Sequence, residues 1–92
     1  MEFEYDPKKS ISNLLKHGID FMRAQRLWDS PTVEVSVNGD YGEERFAVFG
    51  VIEGKNWTAI ITYRGGNIRI ISVRRSRKNE VKYYDEKTSI EH

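Results

Sequence analysis

Ile68-Arg69-Ile70-Ile71-Ser72-Val73-Arg74-Arg75-Ser76-Arg77-Lys78 is the stretch on which the fold turns. Its Ile and Val content reads as a strand. Taken back to Arg64 it gathers six basic residues, Arg64, Arg69, Arg74, Arg75, Arg77 and Lys78, with no acid among them. Cationic side chains on a packed strand suit an anion. Ser76 offers a helix cap directly afterwards, so guanidinium forks on a rigid strand would lie next to free backbone N–H groups, a geometry for phosphate.

Outward from that strand the chain reads as a series of hairpins. Gly65-Gly66-Asn67 separates it from Trp57 to Arg64, and Gly54-Lys55-Asn56 separates that run from Arg45 to Glu53. Short glycine-bearing loops make neighbouring strands antiparallel. Thr32 to Val37 is a fourth β-branched run, closed by the turn signal Asn38-Gly39-Asp40. Upstream of Pro31 the period is helical instead. Asp6-Pro7 starts a helix over residues 7–17, with Ile11, Leu14 and Leu15 at helical spacing and Gly18 as its left-handed stop. Asp20 caps a second helix whose Phe21, Ala24, Leu27 and Trp28 share a face, ended by Ser30-Pro31. Glu2 to Tyr5 reads as a short edge strand. Ser76 caps a last helix with Val81 and Tyr84 as apolar partners, and Lys87 to His92 should fray.

The order β-α-α-β-β-β-β-α defines a single α+β domain over residues 1–92. Its first two helices lie on one face of an antiparallel sheet and the other face is partly open. Which side chains share the open face depends on hairpin register, because a one-residue slip sends every side chain across the sheet. A three-residue Gly65-Gly66-Asn67 loop would put Arg64 on the same face as Ile70, Ser72 and Arg74 and send Arg69 to the other layer, tying strand to helix. An even loop would pair Arg64 with Arg69. The odd loop is preferred, because it concentrates Thr62, Arg64, Ser72 and Arg74 in one polar patch.

Composition limits the function classes. Ninety-two residues, 38% hydrophobic and 32% charged, suit one soluble domain with one modest core. No apolar run approaches a membrane span, and the acidic start lacks an export signal. With no cysteine there are no disulfides, thiolate zinc or cysteine nucleophile, which fits a reducing cytoplasm. The net charge of +1 hides an asymmetry: residues 1–63 carry 7 basic and 10 acidic side chains, residues 64–92 carry 8 and 4. The last third therefore faces anions locally, without the overall charge of a nucleic-acid wrapper.

An ordered set of short motifs resembles the BrnT family of toxins from type II toxin–antitoxin pairs. The set is Lys16-His17-Gly18, Tyr41-Gly42-Glu43-Glu44-Arg45-Phe46, Tyr63-Arg64-Gly65, Ile68 to Arg74, Glu80 and Tyr84, running from about Phe3 to Tyr84. The resemblance implies a RelE-like fold and a small endoribonuclease that inhibits translation. It also implies neutralisation by a BrnA-type antitoxin, which supplies the DNA-binding part of a repressor complex.

A metal-free ribonuclease needs a base for the 2′-hydroxyl proton, cations for the phosphorane charge and an acid for the leaving 5′-oxygen. Arg64 and Arg74 are the natural cations, their alternative duty being ion pairs with Glu43, Glu44, Glu53 or Glu80. His17, the one internal histidine, is the acid or base by type, or else a helix C-cap cation beside Lys16. Tyr84 could stack or share a proton, and Glu80 could be a base or a partner of Arg77. Arg75, Arg77, Lys78 and Arg45 form the RNA-contacting fringe. Trp28 and Trp57 read as core or partner-groove aromatics. His92 is given no role, so acid and base must be unlike groups. Asp40, Glu43 and Glu44 lack ligand spacing, and Gly65-Gly66 lacks a nucleotide-loop context, so no metal or other cofactor is expected. The competing class is a non-catalytic module whose basic patch binds an antitoxin or DNA phosphates.

Overall fold

The computed structural model describes residues 2–89. Strand β1 is Phe3–Glu4, helix α1 Pro7–His17, helix α2 Phe21–Ala24, and a 3-10 turn follows at Gln25–Asp29. Strands β2 (Val33–Val37), β3 (Arg45–Ile52), β4 (Lys55–Arg64) and β5 (Asn67–Arg75) precede helix α3 (Lys78–Ser89). The α+β class and element order are those expected. Helix α3 continues through Lys87 to Ser89, where fraying was expected, and His92 lies outside the described residues.

Local chemistry starts and stops the first helices as the sequence suggests. Asp6 accepts the Lys8 N–H at 2.9 Å, Pro7 occupies the first helical position, and Gly18 closes α1 at φ 76° with its N–H on the Leu14 carbonyl. Asp20 accepts the Arg23 N–H at 2.8 Å, but α2 makes a single turn and tightens into the 3-10 segment. That segment brings Leu27 down onto Gly50 of β3, where an added Cβ would stand 2.8 Å from Leu27 Cγ and Cδ1. Gly50→Ala is therefore expected to cost about 1–3 kcal/mol, read as a lowered urea midpoint at unchanged slope.

The sheet runs β1-β5-β4-β3-β2, and only β1 is parallel to its neighbour, so the sheet is mixed rather than antiparallel. Both central hairpin loops have two residues, not three. Ile52 pairs with Lys55 around Glu53-Gly54, and Arg64 pairs with Asn67 around Gly65-Gly66. Each loop residue has positive φ, the combination that a tight primed turn demands. The even loop puts Arg69 opposite Thr62 on the Arg64 face, where it pairs with Glu4 of β1 at 4.0 Å rather than tying the strand to a helix. A bulge then intervenes: Ile61 faces Ile70, Ile60 faces Ser72, and Ile71 is left without a partner. The alternation resets there. Ser72 and Arg74 return to the Arg64 face, while Ile70 and Val73 point into the core.

Two apolar layers flank the sheet. On one side Ile19, Phe21, Ala24 and Leu27 pack on Val48, Ile52, Trp57, Ala59, Ile61, Ile68, Ile70 and Val73. Trp57 is thus a core residue, and Trp28 packs edge-on against Phe3 with ring centres 5.0 Å apart. On the other side Ala47, Phe49, Ile60 and the β2 valines meet Tyr84 of α3, which covers part of the face expected to be open.

Helix α1 departs furthest from expectation. Its buried residues are Ser10 and Asn13, whereas Ile11, Leu14 and Leu15 are exposed. Ser10 Oγ accepts the Phe21 N–H at 2.9 Å. Asn13 donates to the Ile19 and Val73 carbonyls at 2.8 and 2.9 Å and accepts the Val73 N–H at 3.2 Å. Beyond Arg69, where β1 ends, the amide of Asn13 does for β5 what a neighbouring strand would do.

Candidate functional site

Because Asn13 pins α1 to the edge of β5, the polar flank of the helix faces the bulge. Lys9, Ser12, Asn13, Lys16 and His17 on the helix, with Ile71 and Ser72 on the strand, line a polar cleft of about 320 Å³. Lys9 and Lys16 are seven residues apart, two helical turns, so both reach the same wall. Among the described residues no acidic side chain lines the cleft. Arg69 and Arg74 stand on β5 on either side of Ser72, sharing its face of the sheet. The cations at the bulge are therefore those of the helix, Lys9, Lys16 and His17, an arrangement suited to a phosphodiester. A second depression, about 340 Å³ between Val35, Phe49, Asn79, Glu80 and Tyr83, is mostly apolar.

Arg74 is held by α3. Its Nη1 and Nη2 donate to Glu80 Oε1 and Oε2 at 2.7 and 2.9 Å in a two-pronged pair. Oε1 also accepts the Arg77 N–H at 2.7 Å and the Thr58 hydroxyl at 3.2 Å, and Thr58 shares a hydrogen bond with Ser76 at 2.8 Å. Ser76 therefore does not cap α3. The helix begins two residues later, and the Glu80 carboxylate, in its first turn, returns to the Arg77 backbone N–H. The Arg74 fork, helped by that N–H and by Thr58, outweighs the effect of burial and draws the Glu80 carboxyl down from 4.5 to about 2, while Glu80 raises Arg74. At neutral pH such a carboxylate is a weak proton acceptor.

This pair has a signature in stability. A depressed carboxylate stabilises the fold above its unfolded value, and that contribution is lost as pH falls from about 4.5 toward about 2. After allowance for solvent on the open side of the pair, its size is about 1–2 kcal/mol. Unfolding free energies from urea melts of wild type and Glu80→Gln should differ by that amount at pH 7 and converge as the pH falls from about 4.5 toward about 2.

The other expected site residues are spread along the molecule. Arg64, at the far end of β4, pairs with Glu43 at 3.3 Å. Arg45 lies 3.7 Å from Glu43 and stacks on Tyr41 at 4.2 Å from the ring centre. Arg74 is opposite Thr58, six residues from Arg64 along β4, so the two arginines stand roughly 20 Å apart at strand spacing. They share a face but cannot grip one phosphate together. Arg75 donates Nε to the Asn56 carbonyl at 3.2 Å and lies over Trp57 on the core side. Arg77 and Lys78 are exposed at the start of α3. Tyr84 is buried with its hydroxyl donating to the Pro31 carbonyl at 2.8 Å, and burial raises its pKa. Lys16 and His17 alone among the expected site residues line the cleft, with Ser72 of the expected polar patch; Lys9 and Ser12 join them unforeseen. The Lys9–Lys16 spacing across Ser12 and Asn13 was the signal available. Among the described residues no three His, Asp or Glu side chains gather as a metal-binding group.

The described residues thus form an α+β domain of three helices and a five-stranded sheet, with a cationic cleft at the bulged strand. Residues 5–80 match the family model described as ribonuclease toxin, BrnT, of type II toxin-antitoxin system, and the chain belongs to that family. No curated protein matches it. Family membership gives the chain an RNA target and an antitoxin partner. No described helix is long and apolar enough to cross a membrane.

Proposed function

We propose that the chain is a metal-independent endoribonuclease acting in the cytoplasm, with the α1–β5 cleft as its cutting site. In this reading a 2′-hydroxyl oxygen attacks the adjacent phosphorus, the bond to the 5′-oxygen breaks, and the products end in a 2′,3′-cyclic phosphate and a 5′-hydroxyl. His17 takes the 2′-hydroxyl proton, imidazole being the side chain that exchanges protons near neutrality. Lys16 returns a proton to the leaving 5′-oxygen, and Lys9 with Lys16 holds the negative charge that develops on the phosphorane oxygens. Ser72 and the backbone at Ile71, released from pairing by the bulge, supply further hydrogen-bonding groups.

The observation that supports this reading is the convergence of Lys9, Lys16 and His17 on an acid-free cleft. Glu80, tied to Arg74, acts as a brace for β5 against α3 rather than as the base, and Tyr84 as an anchor. Arg64 and Arg45 at one end, with Arg75, Arg77 and Lys78 at the other, guide the flanking nucleotides of a longer RNA. A BrnA-like antitoxin neutralises the activity, and any DNA contact is made through that partner. The test is to incubate purified protein with RNA in EDTA and identify the new ends. Cyclic phosphate termini support the reading; intact RNA, or cleavage only after divalent metal is added, refutes it.

A further inference from the structure

Helix α1 is amphipathic in the wrong sense for a helix that has only the sheet to pack on. It buries Ser10 and Asn13, while Ile11, Leu14 and Leu15 are 63, 47 and 83% exposed. Met22, on the adjoining helix α2, is 68% exposed. At helical spacing Ile11, Leu14 and Leu15 form one stripe, on the opposite flank of α1 from Lys9 and Lys16. Stray exposed apolar residues are ordinary, but four large ones gathered on two adjacent helices mark a surface that another chain covers.

The charges around the stripe select the occupant. Between Pro7 and His17 the helix carries Lys8, Lys9, Lys16 and His17 and no acid. Two copies of such a surface facing each other would repel, whereas an apolar segment with acidic flanks would be attracted and oriented. We propose that the Ile11-Leu14-Leu15-Met22 stripe is the docking surface for an acidic, amphipathic segment of the antitoxin. The antitoxin chain that continues from this segment then passes around α1 to Lys9, Lys16 and His17 on the other flank, so that docking shuts the cleft. The proposal rests on the ribonuclease reading for the consequence of docking, not for the docking itself.

The experiment uses the full chain and the product of the short reading frame expected beside its own. Binding is measured by titration for wild type and for the Ile11→Glu/Leu15→Glu variant, whose substitutions are at exposed positions and leave the fold and RNA cleavage unchanged. Two apolar anchors turned acidic should weaken binding on the order of 100-fold or more. The neighbouring product should also stop cleavage by wild type at concentrations that leave the variant active. Equal binding by both proteins, or no binding to wild type, overturns the docking proposal while leaving cleavage intact. A concentration-dependent wild-type dimer abolished by the variant identifies a second copy as the occupant and likewise overturns it. If wild type binds, the variant does not, and neither cuts RNA, the docking surface stands and the ribonuclease reading fails.

Discussion

Replacing Asn13 with alanine is expected to lower the stability of the domain by about 3 kcal/mol, one of the largest losses available to a single substitution here. The side chain makes three hydrogen bonds in the buried seam between α1, the α1–α2 connection and β5. Truncation leaves the Val73 N–H and the Val73 and Ile19 carbonyls without those partners in a place where water does not easily replace them. For a domain of this size such a loss lowers the melting temperature by roughly 10–20 °C. Asn13→Asp distinguishes this account from a simple loss of volume. It keeps the size and the acceptor for Val73 N–H but turns the donor into a charge facing two carbonyl oxygens, so it should be at least as damaging as alanine. An aspartate variant of wild-type stability would show that the polar seam does not hold α1 in place.

The second large effect concerns chemistry. His17→Ala should reduce RNA cleavage by about 100-fold or more, the size usual for loss of a positioned acid–base group. The melting temperature should hardly change, because His17 is exposed at the helix end and its side chain makes no hydrogen bond among the described residues. Added imidazole should restore part of the rate to this variant, since it supplies in solution the kind of proton acceptor that the substitution removes. A His17→Ala protein that cuts at the wild-type rate would move the chemistry elsewhere.

Much of the fold was legible because its punctuation is local. Asp6-Pro7, Gly18 and Asp20 set helix boundaries through hydrogen bonds within a few residues, and glycine-bearing turns mark the hairpins. What the sequence hid depends on contacts distant along the chain. The two-residue Gly65-Gly66 turn and the bulge at Ile71 each shift the side-chain alternation by one residue. The shifts cancel, so Arg64 and Arg74 share a face as expected although the expected loop was wrong. Ile70 and Arg69 reveal the difference, one in the core and the other paired with Glu4. In α1 the apolar period was visible, but its direction was not. Three hydrogen bonds from Asn13 to segments that a sequence does not bring together turned the helix over. The site followed: Lys16 and His17 were visible as a pair and Ser72 as part of a polar patch, and only the turned helix brings them together and adds Lys9. Ion pairing of Arg74 with Glu80 and of Arg64 with Glu43 was foreseen as an alternative to catalysis, and both pairs are present.

The cleft between α1 and the β5 bulge is most directly tested by mapping where RNA binds. An oligoribonucleotide with 2′-O-methyl groups cannot be cut, because the attacking hydroxyl is blocked, and can be titrated into isotope-labelled protein while amide resonances are followed. The account predicts the largest shifts at Lys9, Ser12, Lys16, His17, Ile71 and Ser72, with smaller ones toward Arg45 and Arg64. Shifts centred on Arg45 and Arg64 with the cleft undisturbed would contradict it.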